Sequence, residues 1–168
     1  MTTGSDDVVS PTLFAEDLVV GSTVSLGAYT VTHDEIVAFA SQWDPQLFHT
    51  DDGFAAQGFF GEVVASGIHS FAIFQRLAVL GAYRHWWMIA GRTIRDIQLT
   101  APVRPGMTVH ADLTITDIQY SRTDRAIVSK IGRLTSNGTT VFTVFTDAWV
   151  RRRPLAPLEN ADPAREQY

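Results

Sequence analysis

No cysteine occurs among the 168 residues. Disulfides, thiolate metal sites and cysteine nucleophiles are therefore excluded. Positive charge is also scarce: 13 Lys and Arg stand against 18 Asp and Glu, for a net charge of −5. That balance does not suit a nucleic-acid surface. The one basic cluster, Arg151-Arg152-Arg153, is short and followed by prolines. No window reaches the roughly 18 consecutive apolar residues that a membrane helix needs. The opening Met1 to Ser10 is polar and acidic, without the charged and apolar regions of a signal peptide. These features read as a soluble, cytoplasmic protein with no nucleic-acid or membrane partner.

What is present is apolar. Hydrophobic residues make up 45% of the chain, with ten Phe and four Trp. The length suits one domain with a core of its own. Residues 1–12 read as a flexible leader, 13–153 as the domain, and 154–168 as an extended or disordered tail rich in proline and polar groups. No internal repeat is visible.

The hydrophobic period changes along the domain. Leu18 to Tyr29 reads as an entry segment followed by a strand. Thr32 followed by Glu35 is a capping-box signature, and the spacing beyond it predicts a short helix over His33 to Gln42. Residues 43–62 read as irregular, with a short helical turn near Gly53 to Gln57. Val63 to Leu80 is apolar on almost every side, which predicts one long buried helix. A linker of Gly81 to Trp87 follows. Strands are expected over 93–99, 109–118, 126–136 and 139–150, the last two joined by Asn137-Gly138, a strong hairpin signal. One apolar helix and one antiparallel sheet pack most simply if the sheet curls around the helix, an α+β architecture. A sheet edge left exposed invites pairing, so a homodimer through that edge is expected.

Two stretches carry candidate chemistry. In Asp44-Pro45-Gln46-Leu47-Phe48-His49, a carboxylate and an imidazole lie five residues apart in a loop. Such a pair can hold a water and move its protons. Nearby aromatics, among them Phe48 and Phe60, would tune both groups. Taken on spacing alone, the blander reading has more weight: Asp44 capping a turn and His49 an ordinary loop residue. In Ser66-Gly67, near the start of the apolar helix, glycine permits close approach of a ligand to the backbone. An N-terminal amide there suits a developing oxyanion. Tight helix–sheet packing explains the same glycine equally well.

These residues, with the Phe-Gly-rich segment 58–61 and the turn Pro102-Val103-Arg104-Pro105-Gly106, resemble the signature of MaoC-like dehydratases, the (R)-specific enoyl-CoA hydratases. The resemblance spans about residues 20–150. It implies a hot-dog fold, with an antiparallel sheet wrapped around a long central helix. It implies a catalytic dyad of Asp44 and His49 and an oxyanion contact from the Gly67 amide. The implied substrate is an acyl-CoA thioester, and the reaction requires neither a metal nor an organic cofactor. Ser66, Phe48, Phe60 and Trp86 are candidates to line the substrate pocket. For His85-Trp86-Trp87, a hydrophobic lid and a dimer contact are equally open readings.

Three departures from the family pattern are visible. Pro45-Gln46 stands where Asn-Pro is usual, Ser66 where His is frequent, and Gln75 where some members carry a supporting Ser. His69, alone in an apolar stretch, reads as a core or interface residue. Arg104 suits a phosphate in its chemistry, but reads better as a solvated surface residue. Two other functions are weighed against the hydratase. One is a thioesterase of the same fold, disfavoured because Val64 to Leu80 contains no Asp or Glu. The other is a non-catalytic acyl-CoA-binding partner subunit, disfavoured by the intact Asp44/His49 pair.

Overall fold

Five stretches alternate or favour β-branched residues strongly enough to form strands, and in the computed structural model, which describes residues 10–154, all five join one antiparallel sheet. They are β1 (Thr23–Thr30), β2 (Met88–Leu99), β3 (Thr108–Gln119), β4 (Arg125–Ser136) and β5 (Thr139–Arg151). Their order across the sheet is β1-β3-β4-β5-β2. The turn between β4 and β5 is Asn137-Gly138, with φ of 48° and 78°, as a tight hairpin turn demands.

The helices come from the period-3.6 segments. They are α1 (His33–Trp43), α2 (Leu47–Thr50), α3 (Asp52–Gln57) and α4 (Gly67–Gly81). Thr32 caps α1: Glu35 N–H donates to its hydroxyl, and the Glu35 side chain returns to the cap. The sheet wraps α4. Inward residues of β3 (Val109, Ala111, Leu113, Ile115), β4 (Val128, Leu134) and β5 (Phe142, Val144) bury against Ile73, Phe74, Leu77 and Ala78 of the helix. This is the hot-dog arrangement, α+β in class. Gly132 is required inside it, because a Cβ there would run into the Phe74 ring.

The helix expected over Val63 to Leu80 starts later and is buried on one side only. Val63, Val64 and Ala65 are buried but lie outside any helix or strand, with Ala65 N–H donating to Val103 O at 2.8 Å. Ser66 is the true cap, accepting from Ile68 N–H at 3.2 Å. Ile68, Val79 and Leu80 of α4 are exposed in the single chain.

Strand β2 begins five residues earlier than expected. Three irregularities in its pairing with β5, and Asp96 at φ 50°, blur its alternation. Residues 81–87 include a 3-10 turn, Tyr83–His85, inside the expected linker. Of the expected leader, residues 10–12 are described, and Thr12 N–H donates to His85 O at 2.9 Å. Residues 1–9 and 155–168, and so nearly all of the expected leader and tail, lie outside the described residues.

One charged group sits on the inner face. Lys130 is 2% exposed, with its ammonium 5.2 Å from the Tyr83 ring centre and 6.0 Å from that of Trp86. Burial pulls the ammonium down to about 8, against the opposing field of Asp147. Burial also pushes the Tyr83 hydroxyl up to about 12. No helix among the described residues is long and apolar enough to cross a membrane.

Candidate active site

Asp44 is where α1 stops. Its N–H still closes the helix onto Ala40 O at 2.8 Å, but its own backbone has left helical space, and Pro45 prevents continuation. The chain then makes a single turn, α2, which the sequence reading left irregular. That turn carries His49 inward to 5% exposure.

His49 Nδ1 lies 2.6 Å from Val64 O. A carbonyl only accepts, so Nδ1 carries a proton. In the neutral ring Nε2 is therefore the basic nitrogen, and it points at Asp44 Oδ2, 3.6 Å away. The gap is too long for a good direct hydrogen bond. It is short enough for both atoms to reach one atom of a third molecule. Phe48 covers the imidazole, with ring centres 4.1 Å apart.

Two donors grip the carboxylate. Ser66 Oγ donates to Asp44 Oδ2 at 2.6 Å, and Gln46 Nε2 donates to Oδ1 at 2.8 Å. The Ser66 hydroxyl, then Gln46, holds the Asp44 carboxyl below the usual range; desolvation opposes them, and the nearby imidazole adds to the lowering. Asp44 is thus a carboxylate at neutral pH. Neither contact was legible as such. Ser66 is 22 residues away in sequence, and Gln46 stood out only as a departure from a pattern.

The same Ser66 hydroxyl caps α4, which places the first helical amide, that of Gly67, beside the dyad. A helix's leading amides have no acceptor within the helix, and the helix dipole favours negative charge in front of them. Asp44, His49, Ser66 and Gly67 share the wall of one cavity of about 720 Å³. The rest of the wall is mostly apolar and includes Phe48, Phe60, Phe71, Ile97, Leu99 and Pro102. Leu99 packs on Gly67 so closely that a Cβ at position 67 would collide with its methyl group. Such a site brings a carboxylate, an imidazole and the start of a helix to the end of an apolar chamber.

Six of the seven candidate site residues therefore meet in one place. Trp86 is the correction. It is 4% exposed and packs with Tyr83 and Lys130 in the core, beyond the far end of α4. The 15-residue helix separates it from Gly67 by about 22 Å. Ser70, unremarked in the sequence, also lines the cavity; its hydroxyl donates to Ser66 O at 3.3 Å. Gln75 is exposed and not in the cavity wall.

His69 faces away from the cavity. It stacks on Phe39 at 4.4 Å and lies 3.4 Å from Glu35, linking α1 to α4. Burial lowers its pKa, partly offset by Glu35. Arg104 holds the loop before α4, donating to Phe60 O at 3.1 Å and Glu62 Oε1 at 2.6 Å. Among the described residues, no group of three or more His, Asp or Glu is placed to hold a metal.

Comparison with known proteins agrees with this geometry. The family model "MaoC like domain" matches residues 18–136. A MaoC-like dehydratase from Rhodospirillum rubrum is 36% identical, with a TM-score of 0.77 over 86% of this chain and 100% of its own. An (R)-hydratase from A. caviae involved in PHA biosynthesis shares the fold at 24% identity, with a TM-score of 0.63 over 82% of this chain and 99% of its own. Among curated proteins, the uncharacterized protein YdeM of Bacillus subtilis is 27% identical over 114 residues, 68% of this chain and 81% of its own. With the Asp44–His49 loop, the capped central helix and four of the five strands inside the matched span, the chain belongs to the MaoC-like family of hot-dog proteins.

Proposed function

We propose that the protein adds water reversibly across the 2,3 double bond of a 2-enoyl-CoA, giving an (R)-3-hydroxyacyl-CoA. The observation that carries this reading is the 3.6 Å approach of His49 Nε2 to Asp44 Oδ2 in a cavity that also contains the start of α4. The apolar chamber takes the acyl chain, and the Gly67 N–H donates to the thioester carbonyl. Negative charge grows on that oxygen as C3 is attacked, so a donor there lowers the barrier.

Water sits between the dyad atoms. His49 Nε2 takes one proton as the hydroxyl joins C3, and the imidazolium returns that proton to C2. Asp44 remains ionised, orienting the water and stabilising the imidazolium. The hydroxyl and the proton together account for one water, and no cofactor takes part. The family membership and the fold shared with (R)-hydratases support the reaction class.

A homodimer is proposed through β2. It is a sheet edge and exposes Ile94, Ile97 and Leu99 in the single chain.

The test is incubation with crotonyl-CoA, followed by enoyl absorbance and free thiol. Loss of absorbance without thiol is expected, and Asp44→Asn or His49→Ala should each slow it by roughly 10²-fold or more. Thiol release would replace this reading with a thioesterase. An inert protein that still binds CoA would replace it with a binding subunit.

A further inference from the structure

A second concavity, of about 610 Å³, opens beside the start of β2. Four arginines line it, Arg125, Arg151, Arg152 and Arg153, against one acidic side chain, Asp124. Phe14, Trp87 and Ile89 form its apolar side. This concentration of positive charge runs against a chain whose net charge is −5.

Two of the arginines are already matched: Arg152 with Glu16 at 2.8 Å, and Arg153 with Asp17 at 2.6 Å. The other two are not. Arg125 reaches Asp124 only at 3.8 Å, and its buried Nε has no hydrogen-bond acceptor. Among the described residues, Arg151 has no carboxylate partner; its guanidinium lies 5.6 Å from the Trp87 ring centre. Phe14 stacks on Trp87 at 5.7 Å, and Arg153 lies over Phe14 at 5.2 Å. Contacts of this kind hold a guanidinium by its flat face and leave its N–H edge for an oxyanion.

The groove is not part of the acyl cavity. Its Ile89 and the cavity's Ile97 are eight positions apart on β2, at most about 26 Å along the strand and less where its bulges shorten it. Arg151 follows Val150, which is buried on the inner face, so alternation along β5 puts Arg151 on the outer face, where Trp87 and Ile89 line the groove with it.

We propose that this groove binds a phosphate ester or diphosphate carrying at least two charges. The phosphate oxygens meet the N–H edges of Arg125 and Arg151. The organic part lies along Ile89, which is 44% exposed. A multiply charged phosphate fits better than a lone carboxylate, because two guanidiniums, one only loosely paired and one without a carboxylate partner among the described residues, line one space. The chemistry has two sources, a free nucleotide or the nucleotide handle of CoA. The proposal does not depend on the hydratase reading.

The test is calorimetric titration of the full chain with pyrophosphate, ADP and CoA at low salt. Saturable binding of pyrophosphate and ADP is expected, weakened at least about tenfold by Arg151→Gln and further by Arg125→Gln/Arg151→Gln, with circular dichroism verifying the fold. Competition between ADP and CoA would assign the groove to the CoA handle. ADP binding that CoA leaves untouched would assign it to a free nucleotide. Absence of saturable binding by either pyrophosphate or ADP overturns the proposal, as does binding that the folded double variant retains.

Discussion

Ser66 Oγ lies 2.6 Å from Asp44 Oδ2 while accepting the Ile68 amide at 3.2 Å. One hydroxyl thereby joins the end of α1 to the beginning of α4. Ser66→Ala removes the donor that contributes most to depressing the Asp44 pKa. The carboxyl then protonates at higher pH, so the midpoint of an NMR titration of the Asp44 carboxyl should move upward. Gln46→Leu should move it the same way by less. The lost cap should also cost about 1 kcal/mol of stability, read from urea unfolding at neutral pH. A midpoint unmoved in both variants would mean that neither donor holds the carboxyl down.

Gly67→Ala tests the opposite wall. A methyl group at 67 meets Leu99, a flexible side chain that must then rotate across the amide. We expect kcat to fall by roughly 10-fold or more, in the range set by loss of one oxyanion donor, with stability little changed. Leu99→Ala in the same protein should restore much of the rate by relieving the collision. No recovery in the double variant would mean that the glycine matters for its backbone and not for the space above it.

Lys130 makes stability depend on alkaline pH. Its folded pKa of about 8 lies below the roughly 10.4 of an unfolded lysine. Between those values the unfolded chain binds more protons than the folded one, so stability should rise as pH increases from about 8 towards 10. Lys130→Met should flatten that rise and be more stable than the parent at pH 7, as denaturant midpoints across the range would report.

His69 acts in the acid range. Burial lowers its folded pKa, so protonation on acidification favours the unfolded chain, and stability should fall as pH drops below the ordinary imidazole value near 6.5. Glu35 and the Tyr29 hydroxyl bonded to it at 3.3 Å are the titratable neighbours on the packed elements. His69→Phe should reduce the slope of unfolding midpoint against pH between about 5 and 7. An unchanged slope would overturn the assignment of the acid sensitivity to His69.

Much of this arrangement was legible because local chemistry and the fold agree. Thr32 and Glu35 announced α1, Asn137-Gly138 the hairpin, and clean alternation in 109–116 the inward face of β3. Asp44, His49 and Gly67 stood out through family likeness, because their spacing alone favoured a turn cap, an ordinary loop residue and a packing glycine. What escaped depends on contacts distant in sequence. Val63 to Ala65 looked helical because a buried loop and a buried helix are equally apolar; only the Ser66 cap separates them. Trp86 looked like a pocket residue because aromatic composition says nothing about which end of a helix it meets. Lys130 sits among inward-facing residues of β4, and its cost is visible only once Tyr83 and Trp86 close over it.

Gly132 has a consequence for the reaction. The Phe74 ring fills the notch left by its missing side chain, so the central helix is keyed into the sheet at one point, about two turns beyond Gly67. A keyed rod resists sliding along its own axis. The amide at its tip therefore keeps its height above the carboxylate with the tolerance of a packed interior, although the groups around it arrive on turns and loops.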